Sequence, residues 1–191
     1  PYLYRIGLLG PLLAALLVAY LNGGANGLRT LGVRILNWRV SLNWYLLSLL
    51  WVGLLRFGGL GIYSLRTGQI PERFIDIPEI GLLTLFLSQL FVLAAEEIGW
   101  RGFALPDLVR YFGSFGAALL LGILWACWHI PMFFVPDLSQ YGTPFVLYTL
   151  TQIAWSVVMT FLFLRSGSVL IAMLFHIGIN AWFYLIPVPN A

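Results

Sequence analysis

Lysine is absent from the 191-residue chain, cysteine occurs once, and charged residues together make up only 9%. Each scarcity excludes something. The lone Cys127 cannot form an internal disulfide or a cysteine-based metal cluster, and its place inside an apolar run suits a small packing residue. The formal charge of +3 comes from arginines scattered among apolar runs, which is not the footprint of a nucleic-acid partner. With 61% hydrophobic residues and so little charge, the chain lies outside ordinary soluble composition. Its apolar runs also lack the period-two alternation of membrane β-strands, so helices are the expected way to cross a bilayer.

What is present fits that reading. A span needs roughly 20 helical residues at about 1.5 Å each. Apolar helices are expected at about 6–21, 42–63, 79–100, 115–135, 144–164 and 168–186, the second interrupted by Arg56 and by glycines at 58, 59 and 61. The expected fold class is therefore all-α: a polytopic transmembrane bundle of about six spans, one membrane-embedded domain over 1–191, with a motif-bearing core at about 79–186. Between the first two runs, NGGANGLRTLGVRILNWRVSLNW carries Arg29, Arg34 and Arg39; a basic amphipathic segment on the membrane surface and a charged connecting loop both suit it. RTGQIPERFIDIPE, residues 66–79, reads as a loop or a short interfacial element. The arginines of the first connection favour placing it in the cytoplasm with Arg110 and Arg165, which leaves Arg66 and Arg73 on the other side. The chain starts at Pro1, as a processed protein or a fragment would, and its first apolar run resembles a span rather than a signal peptide.

Charges inside such a chain need a reason. In AAEEIGWRGFALP, residues 94–106, three charges end an apolar run. Unpaired at mid-bilayer they would cost roughly 7 to 10 kcal/mol, comparable to the stability of a whole domain. Glu97 and Arg101 are four apart and so can pair, while Glu96, turned about 100° away, keeps a free carboxylate. The bland alternative is that all three snorkel to water at a helix end. Gly99 and Gly102 argue against it, because small residues admit a neighbouring helix.

Two further constellations lie in apolar runs. In LWACWHIPMFF, residues 124–134, His129 is expected within a helix, with Trp125 one turn earlier on the same face and Pro131 tending to kink the chain. In LFHIGINAWF, residues 174–183, His176 and Asn180 are four apart and project together. Each alone reads as packing or interhelical glue. Yet these are the only two histidines, and convergence on one polar centre costs less than separate burials.

Such a centre suits hydrolysis. Glu96 and His129 could remove a proton from water, His176 and Asn180 could stabilise an oxyanion, and Glu97 with Arg101 would support them. A metal version would hold zinc on Glu96, His129 and His176, although the helical H-E-x-x-H pattern is missing. Other intramembrane schemes fit less well, since there is no G-x-S-G serine and no pair of aspartates within the spans.

EEIGWR at 96–101, WACWH at 125–129 and HIGIN at 176–180 together resemble the motifs of the CPBP family of intramembrane proteases, the CAAX protease and bacteriocin-processing group that includes type II CAAX prenyl endopeptidases. The family pattern is E-E-x-x-x-R, F-x-x-x-H and H-x-x-x-N, in this order. Trp125 stands where phenylalanine is common, which changes bulk beside His129 but removes no catalytic group. WRGFALP and WHIP are also similar to the family, and the likeness runs from about residue 94 to 182. It implies a helical membrane endopeptidase with Glu96, Glu97, Arg101, His129, His176 and Asn180 at the site. Members are described both as metalloproteases and as glutamate-dependent proteases without an obligatory metal.

The partners so implied are the lipid bilayer and a peptide or protein substrate, either a prenylated CAAX-type chain entering laterally or a bacteriocin-type peptide. The competing class is a non-enzymatic scaffold, immunity factor or small transporter that uses the same residues as structural polar contacts.

Overall fold

The computed structural model describes residues 7–69, 81–136 and 138–186, and among them the regular structure is entirely helical. The elements are α1 (Gly10–Ile35), α2 (Leu42–Thr67), α3 (Leu82–Glu97), a π-helical segment (Ile98–Ala104), α4 (Leu105–Trp128), a 3-10 turn (Ile130–Phe134), α5 (Phe145–Ser166) and α6 (Val169–Leu185). Four helical runs, Gly10–Ile35, Leu42–Thr67, Val92–Phe134 and Phe145–Ser166, are long and apolar enough to cross a membrane, and Val169–Phe183 is a shorter apolar helix.

Two of those runs are folded back on themselves. Trp125 Nε1 donates to Glu96 Oε2 over 2.9 Å. Along a straight helix, residues that far apart in sequence would be separated by about 43 Å. The turn is at Gly113, whose φ of 67° and ψ of 172° lie where only glycine is at ease. The 43-residue run Val92–Phe134 is therefore a helical hairpin whose arms correspond to the expected helices at 79–100 and 115–135. In α1 the break is at Gly24, with φ 54° and ψ −139°. Beyond it Gly27 packs on the carbonyl of Ala19, a pair that a straight helix would hold about 12 Å apart. Leu31 on the second arm shares a buried cluster with Ala15 and Ala19 on the first.

The stretch after residue 21, read as a surface segment or loop, is thus helical as far as Ile35. Helix α2 runs unbroken through Arg56 and its glycines, from a Ser41 cap that accepts the Asn43 N–H to a left-handed Gly68. Most of the expected loop at 66–79 lies outside the described residues.

Helix α6 is the central element. Residues 171–179 are buried on every side, as expected of a helix apolar all round. Helices α2, α3 and α5 pack on it, and α4 packs on α5. Glycines set the close approaches: a Cβ on Gly178 would stand 2.8 Å from the Ser48 carbonyl oxygen, and one on Gly122 would stand 2.6 Å from Ile153 Cα. Cys127, expected to pack inside, is instead exposed. The inward stripe of α4 is Leu121, Gly122, Trp125 and Ala126, and position 127 falls outside that helical face.

Candidate active site

The charged end of α3 is inside the bundle. Glu96 is 3% exposed, and Glu97 and Arg101 are fully buried, so the snorkelling alternative does not hold. Arg101 lies in the π-helical segment, where Leu105 N–H bonds the Trp100 carbonyl five residues back. This segment is tightly packed. A Cβ on Gly99 would collide with Pro11 of α1, and one on Gly102 would meet Leu31 and Val169 at 3.1 Å. Arg34 Nη1 donates to the Gly102 carbonyl over 2.8 Å, giving that carbonyl a partner outside its own helix.

The two glutamates diverge, as their helical offset requires. Glu97 Oε1 accepts from Arg101 Nη1 at 3.0 Å and pairs with His176 Nδ1 at 2.9 Å. The Arg101 guanidinium carbon also sits 4.7 Å from the centroid of the Trp125 ring, whose face offsets part of its charge. Glu96 turns instead into a cavity of about 640 Å³ and has one oxygen held by Trp125 Nε1. His129, His176 and Asn180 line the same cavity.

His129 is at the end of α4 rather than in the middle of a helix. Pro131 has no N–H to continue the helical ladder, so the chain tightens and His129 N–H bonds Ala126 O at 3.1 Å. The Trp125 carbonyl, one turn back, then accepts from His129 Nδ1 at 2.8 Å. A carbonyl only accepts, so Nδ1 carries the proton and the neutral ring keeps its lone pair on Nε2. The Trp125, Trp128 and Tyr148 rings stand edge-on around His129 at 4.8–5.9 Å between centroids.

Several contributors were not legible beforehand. Asn180 Nδ2 donates to Gln89 Oε1 at 2.8 Å, and Gln89 also lines the cavity. An amide in an apolar run, seven residues before Glu96 and hence two turns away on the same face, was the available signal. Trp125 was read only as bulk, yet its indole N–H fixes Glu96. Tyr148 and Gln152 of α5 form part of the opposite wall.

Zinc does not fit this donor set. Among the described residues no three histidine, cysteine, aspartate or glutamate side chains converge closely enough to share an ion, so Glu96, His129 and His176 do not make a ligand triad here.

Comparison with known proteins bears on the same region. The family profile described as "Type II CAAX prenyl endopeptidase Rce1-like" matches residues 78–182. The chain is also 32% identical over 130 residues to CAAX prenyl protease 2 of Methanococcus maripaludis, an alignment covering 63% of this chain and 42% of that protein. The chain thus spans less than half the length of that relative. With membrane-length apolar helices and this kinship, the protein is an integral, multi-pass membrane protein. The profile match takes in more than half of the chain and every motif residue from Glu96 to Asn180, and the chain belongs to the Rce1-like type II CAAX prenyl endopeptidase family.

Proposed function

We propose that the chain is an intramembrane endopeptidase that hydrolyses a peptide bond of a prenylated CAAX-type substrate with a glutamate- and histidine-activated water. The observation that carries this reading is the meeting of Glu96, His129, His176 and Asn180 on one cavity while Glu97 is withdrawn into a buried ion pair. The reading counts six passes, with α3 and α4 as the arms of one hairpin, and would set that cavity within the bilayer; the Glu96 to Trp125 bond across the arms supports the count.

In the proposed reaction, a water donates one hydrogen to the free oxygen of Glu96 and the other to His129 Nε2. Its lone pair is thereby aimed at a carbonyl carbon. Glu96 takes the proton as the C–O bond forms. The oxyanion is met by the remaining Asn180 N–H and by the ring of His176, which Glu97 holds through Nδ1. Collapse breaks the C–N bond, and Glu96 returns its proton to the leaving amine. The cavity wall also includes Val92, Leu93, Met132, Leu147, Ile179 and Phe183, an apolar lining suited to a prenyl chain.

The test is cleavage of a farnesylated CAAX-type peptide by the purified protein in detergent or liposomes. Glu96→Gln is expected to lower kcat by about 10²- to 10⁴-fold with an unchanged melting profile. Retained turnover in Glu96→Gln would overturn the role of Glu96, and equal cleavage of farnesylated and bare peptides would overturn the substrate class.

A further inference from the structure

Of the three arginines that follow the first apolar run, Arg34 reaches inward to the Gly102 carbonyl. Arg29 and Arg39 are exposed, and both line an open groove of about 610 Å³. The local sequence builds this groove in two steps. Arg29, Gly32, Val33 and Leu36 recur at three- and four-residue spacing, which sets them on one face at the end of α1. The chain then leaves the helix through two tight turns, in which Trp38 N–H bonds the Leu36 carbonyl and Val40 N–H bonds the Trp38 carbonyl, both at 2.9 Å. Asn37, Trp38 and Arg39 form the second wall. A Cβ on Gly32 would meet nothing within 4 Å, so the floor between the walls is open.

Asn37 fixes where the groove lies along the bundle. Its amide nitrogen donates to the Gly167 carbonyl at 3.1 Å, and its own carbonyl accepts from Ser168 Oγ at 2.6 Å, so the groove abuts the turn between α5 and α6. Helix α5 is long and apolar enough to cross a membrane, and the end of such a helix lies where hydrocarbon gives way to headgroups.

The groove's chemistry is that of the same boundary. Val33, Leu36 and Trp38 are 65%, 75% and 63% exposed, apolar surface that the chain itself leaves uncovered. Beside it stand two guanidinium groups, and no carboxylate lines the groove among the described residues. The Arg39 guanidinium carbon is 5.3 Å from the centroid of the Trp38 ring, a cation steadied on an aromatic of the kind that sits at headgroup level. Arg165, one residue before Ser166, adds positive charge at this end of α5.

We propose that this groove binds an anionic phospholipid, its phosphate held between Arg29 and Arg39 and its acyl chains laid over Val33, Leu36 and Trp38. A purely apolar occupant would leave both charges without a partner, and a soluble anion would leave the apolar wall wet. A second copy of the chain would bring arginines against arginines. One phospholipid answers both halves of the surface, and the planar guanidinium fork matches phosphate oxygens. The groove shares no lining residue with the catalytic cavity, so lipid binding is testable apart from cleavage.

Native mass spectrometry of the purified protein in detergent, titrated with dioleoylphosphatidylglycerol, reads the site. The wild type is expected to take up a first lipid saturably and in preference to dioleoylphosphatidylcholine. Arg29→Gln/Arg39→Gln is expected to bind phosphatidylglycerol at least about tenfold more weakly, as the loss of two basic groups near an anionic headgroup requires. Both side chains are exposed, so the melting profile in lipid-free detergent should match the wild type. Arg66→Gln/Arg110→Gln removes equal charge outside the groove and should bind as the wild type does. Undiminished binding in the groove variant, equal weakening in the control variant, or equal uptake of phosphatidylcholine by the wild type would each overturn the proposal. Glycerol 3-phosphate bound as tightly as the lipid would overturn it too, because that molecule carries the phosphate without the acyl chains.

Discussion

Glu97 and His176 are joined across the bundle, Oε1 to Nδ1 at 2.9 Å, and the same oxygen accepts from Arg101. One buried carboxylate thus ties the end of α3 and the π-helical segment to the central helix. Truncating Glu97→Ala leaves a buried guanidinium without its counter-charge. A loss of about 3–5 kcal/mol is expected, and thermal unfolding in detergent measures it. Replacing the pair together, Glu97→Leu with Arg101→Met, should recover a large part of that stability while leaving His176 without its anchor and the enzyme inactive.

Trp125→Phe isolates a single hydrogen bond. The ring can still lie beneath Arg101, but Glu96 Oε2 loses its donor. Bonds to charged groups contribute about 1.5–3 kcal/mol, so kcat is expected to fall roughly 10- to 100-fold with little change in melting temperature. Steady-state kinetics beside a melting curve decide it; an unchanged kcat would mean that Glu96 is oriented by something else.

Gln89 has a positioning role that a conservative pair of variants exposes. Its side-chain oxygen accepts from Asn180 Nδ2 at 2.8 Å, leaving the other amide hydrogen of Asn180 for the cavity. Gln89→Leu is expected to lower kcat by about tenfold, equivalent to about 1.4 kcal/mol, with KM nearly unchanged. Gln89→Glu keeps the acceptor and should restore most of the rate.

Gly178→Ala tests the close approach of α2 and α6. The added methyl would stand 2.8 Å from the Ser48 carbonyl oxygen, a backbone atom that cannot swing aside. Overpacking of this kind costs about 1–3 kcal/mol. Because His176 and Asn180 flank Gly178 on the same helix, activity should fall further than the stability loss alone predicts, as paired melting and turnover measurements would reveal.

The parts of the molecule legible in its sequence are those governed by local spacing. Glu97 and Arg101 pair because they are four apart, and Glu96 diverges because it is one residue away. The apolar runs locate the helices for the same reason. What escaped depends on long-range geometry or on single backbone angles. Nothing local to Gln89 names Asn180 as its partner, 91 residues on. The separation of α3 from α4 was legible, since helices were expected at 79–100 and 115–135, but that the chain stays helical up to single glycines, Gly24 and Gly113, shows only in their positive φ angles. His129 was displaced from mid-helix to helix end by Pro131, whose tendency to disturb the chain was legible although its outcome was not. Cys127 followed from the register of α4, which becomes fixed only when α5 packs against it.

The central position of α6 also bears on when the proposed site is complete. A nascent chain extended only to Ser168 already contains Glu96, Glu97, Arg101 and His129. It still lacks His176 and Asn180, the second partner of Glu97 and the residue that Gln89 engages. On the proposed mechanism, helices that enter a membrane in chain order therefore leave the site incomplete until α6 is threaded between α2, α3 and α5. Order of insertion would then act as a safeguard, since the proposed site cannot act on a neighbouring peptide before α6 is in place.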